Sequence, residues 1–421
     1  MSSSSLNDSL RMVPVFEDSS SSPSANLQGV HVIFEPFSGS LFLCMNEYGM
    51  DYIGMGEEEE TDLICGVFQM QIVEEAESLS GEKRTTLKVI RIFPNPGFVN
   101  FGGMTFDPET RHLFLLHWMW PSECVNPKGV VEYALNDLTD GLQPVIVQRW
   151  PLLIPTQFNS SSDESDDDPL PPKLERMDST GDIYVVSRRE DDQMVSPTDD
   201  ENTPYMYVTS PPCQHMSSGF GGRICVFSRT GKFLFAFPGP EDDDEYGYCP
   251  TSGISFDPHR GTILAGEDHI DESIYEYSLS GKTLGALEYS SNSSDSRTEL
   301  AVDSLRDLLL IRNNDVLKIF RRSEEDDLNL LATISCGRGS GRPAVDEENG
   351  IAYLCCEEEN RRFQMLNYGS HFPITIRAWN RRMQTKNLFQ LLWKSLHKEL
   401  FTRDSTNQTP RRSSIKRQRR C

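Results

Sequence analysis

One phrase recurs along this chain and constrains its fold more than any single residue. An apolar residue and an acid end one short β-rich run, a turn follows, and a second apolar run begins. It reads Gly103-Met-Thr-Phe-Asp107 then His112-Leu-Phe-Leu-Leu116, and again Gly253-Ile-Ser-Phe-Asp257 then Gly261-Thr-Ile-Leu264. Further copies are Leu300-Ala-Val-Asp303 with Asp307-Leu-Leu-Leu-Ile311, and Pro343-Ala-Val-Asp346 with Gly350-Ile-Ala-Tyr-Leu354. A third member in chain order, Glu175-Arg-Met-Asp178 with Asp182-Ile-Tyr-Val-Val186, and an outlier, Val32-Ile-Phe-Glu35 with Ser40-Leu-Phe-Leu43, bring the total to six. Repetition at this scale marks an array of like supersecondary units.

Spacing identifies the unit. Asp257 and Asp303 lie 46 residues apart and Asp303 and Asp346 lie 43 apart, close to the ~40 to 50 residues of a four-stranded propeller blade. The earlier gaps of 72, 71 and 79 residues each contain a polar or acidic block that reads as a loop insertion. Two copies show the remaining strands. Gly222-Arg-Ile-Cys-Val-Phe227, Ser228-Arg-Thr-Gly231 and Lys232-Phe-Leu-Phe-Ala-Phe237 form a strand, turn and strand, as do Ser273 to Tyr277, Ser278 to Gly281 and Lys282 to Leu287. Each turn carries the glycine that a tight hairpin requires. The chain therefore predicts an all-β, six-bladed propeller over residues 29–379.

These runs, Gly-Ile-Ser-Phe-Asp, Thr-Ile-Leu-Ala, Ile-Tyr-Glu-Tyr-Ser-Leu-Ser-Gly-Lys and Thr-Leu-Gly-Ala-Leu, resemble the NHL-repeat propellers and the wider six-bladed superfamily. The resemblance covers about Val30 to Trp379 and is one of pattern, because the Asn-His-Leu signature itself is absent. It implies binding loops at both faces and a central channel. Relatives of this type include calcium-dependent lactonases and esterases, whose metal sits at the channel, and tripartite-motif proteins that recruit substrates to ubiquitin ligases. The RING and B-box modules of the latter are missing here.

Charge divides the chain. The net charge is −24, yet residues 371–421 carry 13 Lys and Arg against two acids, leaving −35 on residues 1–370. The acids concentrate in stretches that interrupt the blade pattern, about 55–62, 158–173, 189–220 and 239–247. Such runs cannot bury enough apolar surface to fold alone and read as solvated loops. Ser160, Ser161, Ser162 and Ser165 sit among these acids as candidate phosphosites. An acidic body also disfavours nucleic acid on the propeller, since that attraction depends on neutralising phosphates.

The flanks differ from the body. Residues 1–28 are Ser-rich and read as a disordered leader, within which Met12-Val-Pro-Val-Phe16 could add a strand to a blade edge. Residues 380–404 carry apolar residues at helical spacing, Leu388, Phe389, Leu392, Trp393, Leu396 and Leu400, with basic flanks, and predict an amphipathic partner-binding helix. Residues 405–421 form a basic tail with Arg411, Arg412, Lys416, Arg417, Arg419 and Arg420, of the kind read by import receptors or held by polyanions. Ser414 lies within it as a further candidate phosphosite.

Chemistry is hard to find in the pattern. Neither a Gly-x-Ser-x-Gly elbow nor a phosphate loop ending in Gly-Lys-Ser/Thr occurs, and the histidines lack His-x-x-x-His spacing. Gly337-Arg-Gly-Ser-Gly-Arg342 leads into a short strand rather than a helix, so it reads as a loop between blades. The nearest candidates for a channel cation, a hard ion that prefers oxygen ligands, are Glu35, Asp268, Asn313, Asn314, Asp315 and Glu357. The recurring aspartates read instead as turn residues, whose side chains bond nearby backbone N–H groups. Ten cysteines without a Cys-x-x-Cys pair predict reduced structural thiols. The N-terminus lacks a signal-peptide pattern and no apolar run is long enough to span a membrane, so the expected location is cytoplasmic or nuclear. The resulting expectation is a non-enzymatic interaction scaffold without a cofactor, binding other proteins through propeller loops and the C-terminal helix. A calcium-dependent lactonase or esterase and a ubiquitin-ligase recognition component are the alternatives.

Overall fold

In a computed structural model the described residues are 12–14, 16–17, 27–47, 66–76, 83–93, 101–117, 129–135, 145–155, 174–177, 181–186, 203–210, 223–238, 250–267, 273–289, 298–322, 328–339, 341–356 and 363–375. All of their regular structure is β. Two short strands come first, β1 (Met12–Pro14) and β2 (Phe16–Glu17). Blade 1 follows as β3 (Leu27–Glu35), β4 (Ser40–Glu47), β5 (Gly66–Ala76) and β6 (Lys83–Phe93), with β2 added in parallel outside β6. Blade 2 is β7 (Phe101–Asp107), β8 (His112–His117), β9 (Val130–Ala134) and β10 (Val145–Trp150). A separate two-stranded ladder, β11 (Leu153–Pro155) with β12 (Leu174–Arg176), precedes blade 3.

Blade 3 consists of β13 (Ile183–Val185), β14 (Met206–Ser210), β15 (Arg223–Phe227) and β16 (Phe233–Pro238). Blade 4 is β17 (Pro250–Asp257), β18 (Thr262–Glu267), β19 (Ser273–Ser278) and β20 (Thr283–Glu288), and blade 5 is β21 (Thr298–Asp303), β22 (Leu308–Asn313), β23 (Val316–Arg322) and β24 (Leu328–Ser335). Blade 6 contributes only three strands of its own, β25 (Ala344–Asp346), β26 (Ile351–Cys355) and β27 (Phe363–Asn367). Its fourth is β1, paired antiparallel with Met12 opposite Leu366. The Met-Val-Pro segment thus supplies the blade-edge strand that the sequence allowed.

First strands pack in a closed circuit, β3 on β7, β7 on β13, β13 on β17, β17 on β21, β21 on β25 and β25 back on β3. This closes a six-bladed β-propeller, an arrangement that leaves only short, outer edges. Six apolar clusters lie between neighbouring sheets, such as Val67, Phe93, Met104 and Tyr133 between blades 1 and 2. Packing there is aromatic edge-to-face, with Phe93 5.6 Å from Phe42 and 5.5 Å from Tyr133 between ring centroids.

The acid of the repeated phrase caps the turn between the first two strands. Asp257 Oδ1 accepts the N–H groups of His259 (2.8 Å) and Arg260 (3.2 Å), and Asp303 Oδ1 accepts those of Leu305 and Arg306 at 3.0 Å each. Asp107 Oδ1 accepts Glu109 N–H at 3.0 Å and Asp346 Oδ1 accepts Asn349 N–H at 3.1 Å, and Glu35 substitutes for Asp in blade 1, accepting from Phe37 N and Ser38 N. The residue four places on adopts positive φ in five of the six copies, Gly39 (67°), Arg111 (59°), Gly261 (69°), Asp307 (56°) and Gly350 (67°). Glycine tolerates that conformation without a Cβ penalty; Arg111 and Asp307 adopt it at some cost.

The third copy of the phrase is misplaced by the sequence reading. Asp182 to Val186 looked like the second strand of blade 3, but it forms the first, β13, whose partner is Met206–Ser210. The stretch read as its first strand, ending before Asp178, pairs elsewhere as β12. The insertion read as 189–220 contains β14, so only its acidic part, Glu190 to Asn202, falls between the first and second strands of blade 3, and the blade count is unchanged.

Outer strands share a device with no signal in the phrase. The third and fourth strands of five blades shift register at one corresponding place, skipping Ile90, Val147, Leu234, Leu284 and Leu331. A bulge of this kind bends the edge and raises its twist. The skipped residue is aliphatic each time.

Candidate functional site: the propeller axis and the outer rim

Arg342 precedes β25 in blade 6 and reaches across the ring. Its Nη1 donates to Ile254 O of blade 4 at 2.8 Å and its Nη2 to Met104 O of blade 2 at 2.7 Å. Nη1 also lies 3.7 Å from Asp182 Oδ2 of blade 3, and the guanidinium sits 5.2 Å from the centre of the Tyr184 ring. Blade 3 is diametrically opposite blade 6, so the cation spans the axis. Both partners are buried, Arg342 at 9% and Asp182 at 1% exposure. Asp182 accepts from Ile183 N at 2.8 Å and, more weakly, Ile254 N at 3.4 Å. Gly103 leaves room for it, because a Cβ there would lie 2.6 Å from Asp182 Oδ1.

A second arginine anchors the Gly-rich loop from inside. Arg312, 1% exposed, donates to Gly337 O at 3.1 Å and to Gly341 O and Asn314 O at 3.4 Å each. A Cβ on Gly339 would meet the Arg312 Nη2 at 2.6 Å, so the glycines let the loop close over the guanidinium. The loop connects β24 to β25, as its lack of a following helix implied. Nearby, burial pushes the Cys336 thiol up to about 11, and Cys225 in β15 up to about 12, the behaviour of inert structural thiols.

Blades are also clasped to one another by the second oxygen of three phrase acids, Asp107, Asp257 and Asp303. Tyr205 of blade 3 donates to Asp107 Oδ2 of blade 2 at 2.7 Å, and Tyr368 of blade 6 to Asp303 Oδ2 of blade 5 at 2.8 Å. Between blades 4 and 5, Arg322 bonds Asp257 Oδ2 at 3.0 Å and Glu276 Oε2 at 2.7 Å. Burial, then the neighbouring carboxylate, raises the Tyr205 and Tyr368 hydroxyls, so both stay donors. A further clasp joins turns on one face: Glu347 of blade 6 accepts Ser304 N at 2.9 Å and Ser304 Oγ at 2.8 Å, while His259 of blade 4 bonds Ser304 O. Part of Glu347 reaches solvent, yet its carboxyl is packed against this junction, and burial pushes it up to about 7. Ser304 N–H opposes that shift and the Asp303 charge adds to it.

The channel candidates among the described residues do not converge on the axis. Glu35 is spent on its turn, Asn313 Nδ2 bonds Tyr289 Oη and Thr298 Oγ1, and Asn314 and Asp315 form the hairpin tip between β22 and β23. Asp268 and Glu357 lie outside the described residues. Among the described residues no group of three or more His, Cys, Asp or Glu side chains is placed to hold a metal. The helix residues Leu388, Phe389, Leu392, Trp393, Leu396 and Leu400, the tail residues Arg411, Arg412, Lys416, Arg417, Arg419 and Arg420, and Ser160, Ser161, Ser162, Ser165 and Ser414 all lie outside the described residues too. Residues 374–421 form a unit of their own. Among the described residues no helix is long and apolar enough to cross a membrane.

What the sequence reading missed is Arg342 itself. A usable signal existed: four residues before the acid, the phrase has Gly103 and Gly253 in blades 2 and 4 but Arg342 in blade 6. The rim was missed as well. On outer strands Ile90 and Ile92 of β6, Val145 and Val147 of β10, Leu284 of β20 and Leu330 of β24 are about half exposed, with Val145 at 65%. Three of these, Ile90, Val147 and Leu284, are bulged residues.

No protein-family model and no curated protein matches the chain. Similar solved structures include a functionally unknown protein from Desulfotomaculum acetoxidans, with a TM-score of 0.42 and 10% identity over 80% of this chain and 81% of that one. Others are hydrazine synthase of Kuenenia stuttgartiensis (0.41, 12%, 80% and 76%) and a chain of the mitotic checkpoint complex (0.40, 9%, 85% and 92%). The likeness is loose, and the six-bladed assignment rests on the strand pairing above.

Proposed function

We propose that this propeller is a non-enzymatic interaction scaffold or adaptor, recruited or localised through its basic C-terminal helix and tail. The observation that carries the reading is Arg342 at the axis. In the calcium-dependent relatives the metal belongs at the channel, and here a guanidinium fixed to blades 2 and 4 occupies that region. A divalent cation brought beside it would meet like charge in a poorly solvated setting, which is strongly unfavourable. The polar groups that most resemble catalytic pairs, Asp107 with Tyr205 and Asp257 with Arg322, are buried between blades and serve cohesion. Recognition then falls to the loops and the rim, where apolar side chains remain exposed.

Affinity purification of the full chain beside a 1–379 truncation tests this. A stoichiometric partner retained by the full chain and lost from the truncation is the expected result. Calcium-dependent thermal stabilisation together with lactonase or arylesterase turnover would overturn the reading in favour of the enzyme. The basic tail, as an import-receptor or polyanion target, is tested separately by fusing residues 405–421 to a reporter, which an even distribution in the cell would count against.

A further inference from the structure

Two arginines on one face of the propeller have no acid to pair with. Consecutive strands of a blade are antiparallel, so the turn joining its first two strands and the hairpin joining its last two open at the same end. Arg111 lies in the β7–β8 turn of blade 2 and Arg229 in the β15–β16 hairpin of blade 3. Asp107 joins the two places: its carbonyl accepts the Arg111 N–H at 2.8 Å, and its Oδ2 accepts the Tyr205 hydroxyl at 2.7 Å.

Each guanidinium is laid on an aromatic ring. Arg111 sits 5.4 Å from the centre of the Phe37 ring, in the matching turn of blade 1, and Arg229 sits 5.3 Å from the centre of the Tyr205 ring. Among the described residues neither side chain makes a hydrogen bond or an ion pair, and Arg111 Nε is buried without a partner. A cation–π contact engages the flat of a guanidinium and leaves its N–H edge for a carboxylate. Both rings are fixed in advance. Glu35 holds the Phe37 turn by accepting its N–H at 2.8 Å, and Tyr205 packs on Phe114 and Trp150 with ring centroids 6.0 and 6.3 Å apart. Phe37 nevertheless stands 62% exposed.

Arg111 carries costs that the other turns avoid. Its position is glycine in blades 1, 4 and 6 and Asp307 in blade 5, residue types that adopt left-handed backbone more readily. An arginine held there, with a buried donor bonded to nothing, is the combination of strain and unmet polarity that collects at recognition sites. The neighbouring acids do not relieve it. Asp107 is engaged by Tyr205, Thr110 and Glu109 N, and Glu132 by His112. Glu109, exposed in the same turn, has a carboxylate that accepts no bond among the described residues.

We propose that this face docks an acidic segment of a protein partner, two carboxylates taking the guanidinium edges of Arg111 and Arg229 while an apolar side chain packs on Phe37. Arginine and aromatic side chains are the usual anchors of protein interfaces. Two arginines suit a short peptide; a nucleic acid would require many phosphates to be neutralised, on a body that carries −35 over residues 1–370. The inference rests on the scaffold reading and adds to it a binding face separate from the C-terminal helix and tail.

Fluorescence anisotropy of the full chain with a labelled peptide of alternating Glu and Leu reads the site. Binding that weakens with added salt is expected, and a Gln-Leu peptide of equal length should bind about tenfold more weakly through loss of charge-assisted bonds. Arg111→Gly installs the residue that three other blades use, and is expected to weaken peptide binding by about tenfold while the melting temperature holds or rises. Arg229→Leu installs the residue found at the same place in the blade 4 hairpin, Leu279, and is expected to weaken binding with the fold intact. Glu109→Gln should tighten it. No binding of the Glu-Leu peptide, equal affinity for its Gln-Leu counterpart, indifference to both arginine variants, or tighter binding of a labelled single-stranded oligonucleotide through the same arginines would each overturn the inference. Calcium-dependent lactonase turnover would defeat the scaffold reading with peptide binding still in place, so the two failures are told apart.

Discussion

Replacing Arg342 by Met tests the axial bridge most directly. Methionine keeps much of the apolar stem and removes the charged head. Lost are two charge-assisted bonds, to Met104 O and Ile254 O, and the cation 3.7 Å from Asp182. Breaking a buried pair by deleting one partner costs ~3 to 5 kcal/mol, chiefly because the surviving charge stays buried. Asp182 retains the Ile183 N–H at 2.8 Å, which favours the lower end, about 3 kcal/mol. For a unit ending at Pro373, an unfolding entropy of ~2 cal/mol/K per residue converts this to a fall of roughly 4 °C in melting temperature. The companion Asp182→Asn variant removes the charge that Arg342 would otherwise leave stranded. In the double variant the two losses should fall short of additivity by about 1 to 2 kcal/mol, since coupled sites in one network interact by that order. Thermal and urea unfolding of the four proteins give the cycle. An Arg342→Met loss below ~1 kcal/mol, or additivity within ~0.5 kcal/mol, would refute the view that this pair ties blade 6 to the blades opposite.

Three other outcomes follow from the same contacts. Glu347 in the folded protein titrates near 7, above its ordinary 4.5. The folded state therefore binds the extra proton between those values, and its contribution to stability falls as pH rises through that window, by at most ~3 kcal/mol. Glu347→Gln should flatten melting temperature against pH there while keeping the Ser304 contact, and an unchanged slope would show that another group is responsible. Arg322→Met strands both Asp257 and Glu276 between blades 4 and 5 and should cost ~3 to 5 kcal/mol by urea unfolding, whereas Lys at this position, unable to present a fork to two carboxylates, should recover only part of it. Deleting residues 1–17 removes β1 from blade 6 and β2 from blade 1, and hydrogen exchange should then accelerate at amides of β27 with little change in blades 3 and 4.

The blade count was legible because the turn-capping acid is a local device: its partners lie two and three residues away, so composition and spacing record it. Glu35 and Asp257 were found for that reason. Blade 3 was misread because its long insertion separates first strand from second, and the nearby β11–β12 ladder imitates the phrase. Clasps between blades were not legible at all. Tyr205 meets Asp107 across 98 residues and Arg342 meets Met104 across 238, and no periodicity reports such separations. The bulges escaped for a different reason, since an aliphatic residue in a strand looks alike whether it is paired or skipped. The basic helix and tail stand where the sequence put them, as proposals about residues 380–421.

The placement of β1 bears on how the chain is made. Blade 6 cannot be completed until Gln364 to Leu366 exist, yet the strand that pairs with them begins at Met12. At a synthesis rate of ~5 to 20 residues per second, that strand waits roughly 20 to 70 s for its partner. During that interval blades 1 to 5 can pack on one another in order, but the two free ends of the arc, the inner face of blade 1 and the last blade emerging, expose apolar surface to the cell. Ring closure is the terminal event of biogenesis for this fold, and the stretch holding Met12 to Glu17 is where a chaperone or a premature contact would act upon it.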